Sequence, residues 1–127
     1  MSKKVIVVDD DRDFSLILKA KLEKNGFKVD VAHDGEEGLE KIKTSKPDVV
    51  VLDVMMPKKT GFEVCKELRS DPQFDEIPII LLTAVADHIA ETTYTQYDAM
   101  SVEASDYIPK GPDCTEKVVT SIKEMFN

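Results

Sequence analysis

The chain has 127 residues, 42% of them apolar and 33% charged, and a formal net charge of −8. That is one domain of ordinary size, residues 1–127, and its acidity excludes broad electrostatic binding to nucleic acid or to anionic membranes. No apolar run is long enough to span a bilayer, the N-terminus lacks a signal-peptide pattern, and Cys65 and Cys114 are isolated thiols without metal spacing, so the chain reads as cytoplasmic.

In chain order the pattern alternates strand and helix. Val5-Ile6-Val7-Val8 predicts a first strand over about 4–8, followed by the carboxylates Asp9, Asp10 and Asp11. A helix follows from about Arg12 to Lys24, with Phe14, Ile17, Leu18 and Leu22 on one face and Asn25-Gly26 as its stop. Phe27 to Val31 is a short alternating strand. Asp34 caps a second helix carrying Leu39 and Ile42, which ends before Lys46-Pro47. The third strand, 48–52, is a continuous apolar run, as expected of a strand buried on both faces. Thr60 and Gly61 open a third helix with Phe62, Cys65 and Leu68 inward. A fourth strand runs from Ile77 to Leu82, and Pro78 is tolerated at its start. Residues from about Asp87 to Val102 predict a weakly patterned fourth helix. Ser105 to Ile108 is the fifth strand, and Val118, Val119, Ile122, Met125 and Phe126 define the last helix. Alternating elements of this kind make a parallel sheet covered on both faces. His33 and His88 read as surface residues.

The chemistry sits at the strand ends. Asp53 follows Val49-Val50-Val51-Leu52 and leads into Val54-Met55-Met56-Pro57. A carboxylate inside a buried strand is very costly, whereas at the carboxyl end of a parallel strand it lies where open α/β sheets place their ligands. One of the three N-terminal carboxylates serves as a helix cap, which leaves two without a local task. If strands one and three are neighbours, Asp9, Asp10 and Asp53 converge. Clustered carboxylates suit a hard cation such as Mg²⁺. Thr83-Ala84 ends strand four and Lys110 follows strand five. Each residue alone has an ordinary reading as a loop or cap residue. Their recurrence at four strand ends does not.

This ordered set resembles the receiver domain of two-component response regulators, over essentially the whole chain. The matching pieces are Val7-Val8-Asp9-Asp10-Asp11, Leu52-Asp53-Val54-Met55-Met56-Pro57, Gly61, Leu82-Thr83-Ala84 and Asp106-Tyr107-Ile108-Pro109-Lys110. The resemblance implies a flavodoxin-like, doubly wound α/β fold, with five helices around a five-stranded parallel sheet in the order 2-1-3-4-5. It implies Asp53 as phosphoacceptor, and Asp9, Asp10, Asp53 and the backbone carbonyl of Met55 as ligands of Mg²⁺, or alternatively Mn²⁺. Thr83, with Ala84 beside it, matches the switch and phosphoryl-binding position. Tyr107 matches the aromatic that changes rotamer, and Lys110 the lysine that neutralises the phosphoryl group. The implied partners are a sensor histidine kinase or a histidine phosphotransfer protein, and an output protein that binds the face made by the fourth helix, fifth strand and last helix. Nucleic acid and membrane are not expected partners. The implied role is signalling, with the protein assisting its own phosphorylation and dephosphorylation, and no separate enzymatic activity.

Two departures accompany the resemblance. The family usually has proline directly after the lysine, in a cis bond; here Gly111 follows Lys110, and either Ile108-Pro109 or Gly111-Pro112 is a candidate for a cis bond. The segment from Thr83 to Lys110 is also longer than usual, by about one helical turn. Its Thr93-Tyr94-Thr95-Gln96-Tyr97 stretch reads as an extended, broken or partly disordered element. Two other function classes compete. An aspartyl-phosphate phosphatase needs an acid two residues after its nucleophile, where this chain has Met55. A flavodoxin-like binder or an unphosphorylated receiver-like module is the other. Asp9-Asp10-Asp11 would repel the phosphate of a flavin, and a degenerate receiver would lack one of the acidic, Thr or Lys positions.

Overall fold

The computed structural model describes residues 2–56, 58–83 and 104–126. Its elements are β1 (Lys4–Val8), α1 (Arg12–Lys24), β2 (Lys28–Ala32), α2 (Gly35–Ser45), β3 (Val49–Asp53), α3 (Gly61–Arg69), β4 (Ile79–Thr83), β5 (Asp106–Pro109) and α4 (Cys114–Met125). The five strands form one parallel sheet in the order β2-β1-β3-β4-β5. This is the expected flavodoxin-like arrangement. The helix predicted over 87–102, and with it the Thr93–Tyr97 stretch, lies outside the described residues, as do Ala84 and His88.

Alternation along the central strands divides the core. Ile6, Val8, Val50, Leu52, Ile79 and Leu81 point to the side covered by α2 and α3. Val5, Val7, Val49, Val51, Ile80 and Leu82 point to the side covered by α1 and α4, where they meet Leu18, Leu22, Val118 and Ile122. All five residues of β3 and of β4 are buried, which explains why these strands read as unbroken apolar runs. The edge strands β2 and β5 are only partly buried. Pro109 is accommodated in β5 because an edge strand pairs on one side only.

Caps fix the helix starts. Asp11 accepts from the Phe14 N–H at 3.1 Å, Asp34 from Glu37 at 2.8 Å, and Thr60 and Glu63 form a reciprocal capping box. After α1 the chain turns through Gly26 at φ +92°, a conformation that glycine adopts without strain.

Several details differ from expectation. Ile17 was placed on the inward face of α1, yet it is 53% exposed and Leu16 63%. Ser15 takes the inward position, because its hydroxyl is satisfied by the backbone carbonyls of Asp11 at 2.6 Å and Asp9 at 3.3 Å. β2 starts one residue late, since the Phe27 N–H still bonds to the Leu22 carbonyl of α1. β4 starts at Ile79, because Ile77 is held in the preceding turn by Phe74, and it runs on to include Thr83. β5 is likewise displaced by one residue, to Asp106–Pro109. Ile108-Pro109 and Gly111-Pro112 are both trans.

Candidate functional site

The register places the site. β3 ends at Asp53, opposite Leu82, and β4 ends one residue later at Thr83. β1 ends at Val8, opposite Leu52, so Asp9 leaves the sheet beside Asp53. The Lys110 N–H continues the β4–β5 pairing by donating to the Thr83 carbonyl at 2.8 Å. Four strand ends on one edge thereby present two carboxylates, a hydroxyl and an ammonium.

Lys110 Nζ lies 2.7 Å from Asp9 Oδ2 and 3.3 Å from Asp53 Oδ2. Lys110 reaches both carboxylates although Gly111, and not proline, follows it. Asp9 is fully buried and Asp53 is 6% exposed. The Asp9 Oδ1 accepts the Asp11 N–H at 2.9 Å, and Asp53 Oδ1 accepts the Met55 N–H at 3.3 Å. Among the described residues Asp9 Oδ2 is buried without an aligned hydrogen-bond donor, and its compensation there is the ion pair with Lys110. Burial first, and then the Asp9 charge, push the Asp53 carboxyl up to about 7, against the opposing pull of Lys110. The Lys110 ammonium is itself shifted up: burial works against the charge, and Asp9 and Asp53 outweigh it.

Asp10 is exposed and joins Asp9 and Asp53 in a group whose carboxylate oxygens lie within 4.8 Å of one another. The donor set fits a hard divalent cation: it is all oxygen, anionic, and includes one buried oxygen short of a partner. Met55 is on the loop after β3 with its side chain 47% exposed. Thr83 is 8% exposed, and Tyr107 projects outward at 37%. The loop after Asp53 is anchored where α3 begins. A Cβ on Gly61 would collide with the Asp53 carbonyl oxygen, and the Gly61 N–H donates to the Val54 carbonyl at 2.9 Å. Only glycine lets α3 come this close.

Two neighbours of the site were not foreseen. His33, expected at the surface, is half-buried, with Nδ1 3.2 Å from the Asp9 carbonyl and its N–H donating to Glu37 at 2.8 Å. Phe14, expected as core, is half-buried and turns its ring to Lys110, 4.7 Å from Nζ to the centroid. The position of His33 just after a strand that neighbours β1 was the available signal. For Phe14 there was none beyond its place in the first turn of α1.

Comparisons with known proteins agree with the geometry. The profile of the response regulator receiver domain matches residues 5–122. Response regulator MprA of Mycobacterium ulcerans is 42% identical over 126 residues, covering 99% of this chain and 51% of that protein. The chain thus spans about half the length of the curated relatives it matches. The structure of the Francisella response regulator 1452 receiver domain superposes with a TM-score of 0.83 at 32% identity, covering 98% of this chain and 97% of the other. Chemotaxis response regulator CheY4 of Vibrio cholerae superposes with a TM-score of 0.84 at 28% identity, covering 98% of each chain. Fold, strand-end residues and similarity converge: the chain belongs to the response regulator receiver domain family.

Proposed function

We propose that Asp53 is the phosphoacceptor of a two-component relay and that residues 1–127 act as one receiver domain, in the cytoplasm. The donor is the phosphohistidine of a sensor histidine kinase or histidine phosphotransfer protein, or a small phosphodonor such as acetyl phosphate. The observation that carries this reading is one ammonium, Lys110, held against two buried carboxylates at the carboxyl edge of the sheet. In transfer from a phosphohistidine an Asp53 oxygen attacks phosphorus, the P–N bond breaks and its electron pair stays on the donor imidazole; from acetyl phosphate the P–O bond breaks and the pair leaves with acetate. Lys110 already sits where negative charge would grow, so little reorganisation is needed. Thr83, with Ala84 beside it, would take a phosphoryl oxygen, and Tyr107 would turn into the space that Thr83 leaves. Asp9, Asp10, Asp53 and the Met55 carbonyl would hold Mg²⁺ or Mn²⁺, which when bound supplies positive charge for the phosphoryl oxygens. Output would pass through β5, α4 and the predicted helix between 87 and 102 to a partner protein. The protein would assist its own phosphorylation and dephosphorylation and act on no separate substrate.

Mass spectrometry after treatment with acetyl phosphate and Mg²⁺ tests the assignment. One added phosphoryl group is expected, lost in Asp53→Asn and without Mg²⁺. A modification that persists in Asp53→Asn would place the acceptor elsewhere, and none in the wild type would leave an unphosphorylated interaction module.

A further inference from the structure

Phe14 belongs to none of the strand-end motifs, yet it faces the site. Its backbone N–H donates to Asp11, the cap of α1, and its ring packs partly buried on the core between the sheet, α1 and α4. The ring centroid lies 4.7 Å from Lys110 Nζ. Among the described residues the ammonium therefore meets Asp9 Oδ2 at 2.7 Å, Asp53 Oδ2 at 3.3 Å and the face of Phe14. A Cβ on Gly111 would meet no described atom within 4 Å, so the chain has open space directly after Lys110. A lysine stem is flexible, so the contacts of its head decide where it rests.

We propose that Phe14 is a positioning residue acting through Lys110: its ring holds the ammonium at the two carboxylates and sets the balance between Lys110 and a divalent cation for Asp9 and Asp53. This rests on the reading of Asp53 as phosphoacceptor and of the carboxylates as cation ligands. The negative face of an aromatic ring attracts an ammonium, more strongly where water is excluded. Lys110 and a cation both draw on Asp9 Oδ2, and two positive charges in one small space repel. A ring that keeps the ammonium in place therefore opposes cation binding. It also keeps the charge ready for the phosphoryl group. Removing it should tighten the cation and slow the transfer, whereas a folding lesion would weaken both.

The experiment compares wild type, Phe14→Leu and Phe14→Tyr. Leucine keeps an apolar contact and tyrosine keeps the ring face. Mg²⁺ affinity is measured by titration without phosphodonor, and phosphorylation by acetyl phosphate at saturating Mg²⁺. Lysine ε-methylene NMR shifts report ring proximity in the Mg²⁺-free protein. In Phe14→Leu the Mg²⁺ Kd is expected to fall about two- to fivefold and the phosphorylation rate to fall about threefold, as a cation–π contact of ordinary strength implies. The ring-current shift of Lys110 should vanish, and Phe14→Tyr should keep all three wild-type values. Should Phe14→Leu be unstable, pentafluorophenylalanine at position 14 keeps ring shape, reverses its polarity and should give the same split. Three results overturn the proposal: an unshifted Lys110 in wild type, no change in either quantity, or a joint loss of affinity and rate. Wild-type protein that takes no phosphoryl group would overturn the phosphoacceptor reading instead, since the shift and the affinity are read without phosphodonor.

Discussion

A carboxyl group that should be ionised at neutral pH is here held at the edge of protonation. Burial and the Asp9 charge raise Asp53 from 3.8 to about 7. Between those two values the folded state binds more protons than the unfolded state, so this group's contribution to stability falls as pH rises through that window. Taking 1.36 kcal/mol per unit, the full shift is about 4 kcal/mol as an upper bound. Asp53→Asn removes the titration while keeping the shape. The variant should therefore be more stable than wild type by about 2 kcal/mol at pH 8, with the gain shrinking towards pH 4. Urea unfolding across that range measures it, and a gain independent of pH would mean that Asp53 is not the strained group. The strain also has a direction in the proposed chemistry. A carboxylate that is costly to leave bare is one for which a neighbouring cation or a bond to phosphorus brings relief.

At the scale of elements, the loop from Asp53 to Gly61 is pinned at each end. The capping box of Thr60 and Glu63 starts α3, and Gly61 lets its first turn touch the Asp53 carbonyl. Thr60→Ala should cost about 1 kcal/mol and leave Mg²⁺ affinity unchanged, because it loosens only the cap. Gly61→Ala should cost about 1–3 kcal/mol by overpacking and also weaken Mg²⁺ binding, because the displaced backbone is that of Asp53 itself. Denaturant unfolding and Mg²⁺ titration of the two variants separate these effects; equal affinities would uncouple the helix start from the site. Elements of this kind were largely legible in the sequence. Unbroken apolar runs marked β3 and β4, caps marked α2 and α3, and the polar residues at strand ends marked the site. Boundaries slipped by one or two residues where a turn hydrogen bond reached into a strand, by one at Phe27 and by two at Ile77. Ile17 was misplaced because a serine that bonds to backbone can occupy an inward position, which hydrophobic patterning does not count. The contact of Phe14 with Lys110 joins opposite ends of the chain, and no local pattern encodes it.

The whole molecule carries a net charge of −8, and among the described residues Asp9, Asp10 and Asp53 bring three carboxylates together. A cation that binds only the folded state stabilises it by mass action. At a Mg²⁺ concentration about ten times Kd the gain is about 1.4 kcal/mol, or about 4 °C in Tm for a domain of this size. Asp10→Ala should lose most of that rise in a calorimetric or fluorescence melt, and an equal rise would reveal general screening of the acidic surface. The other feature at this scale is the division of the core by the sheet. Among the described residues, the side beneath α2 and α3 draws its sheet residues from β1, β2, β3 and β4. The opposite side depends on Ile108, Val118 and Ile122, and Lys21 of α1 reaches Thr115 and Glu116 of α4 to close it. Until α4 has been made, this side is covered by α1 alone among the described helices, and the apolar surface that Val118 and Ile122 will bury is open, of the sort that chaperones cover.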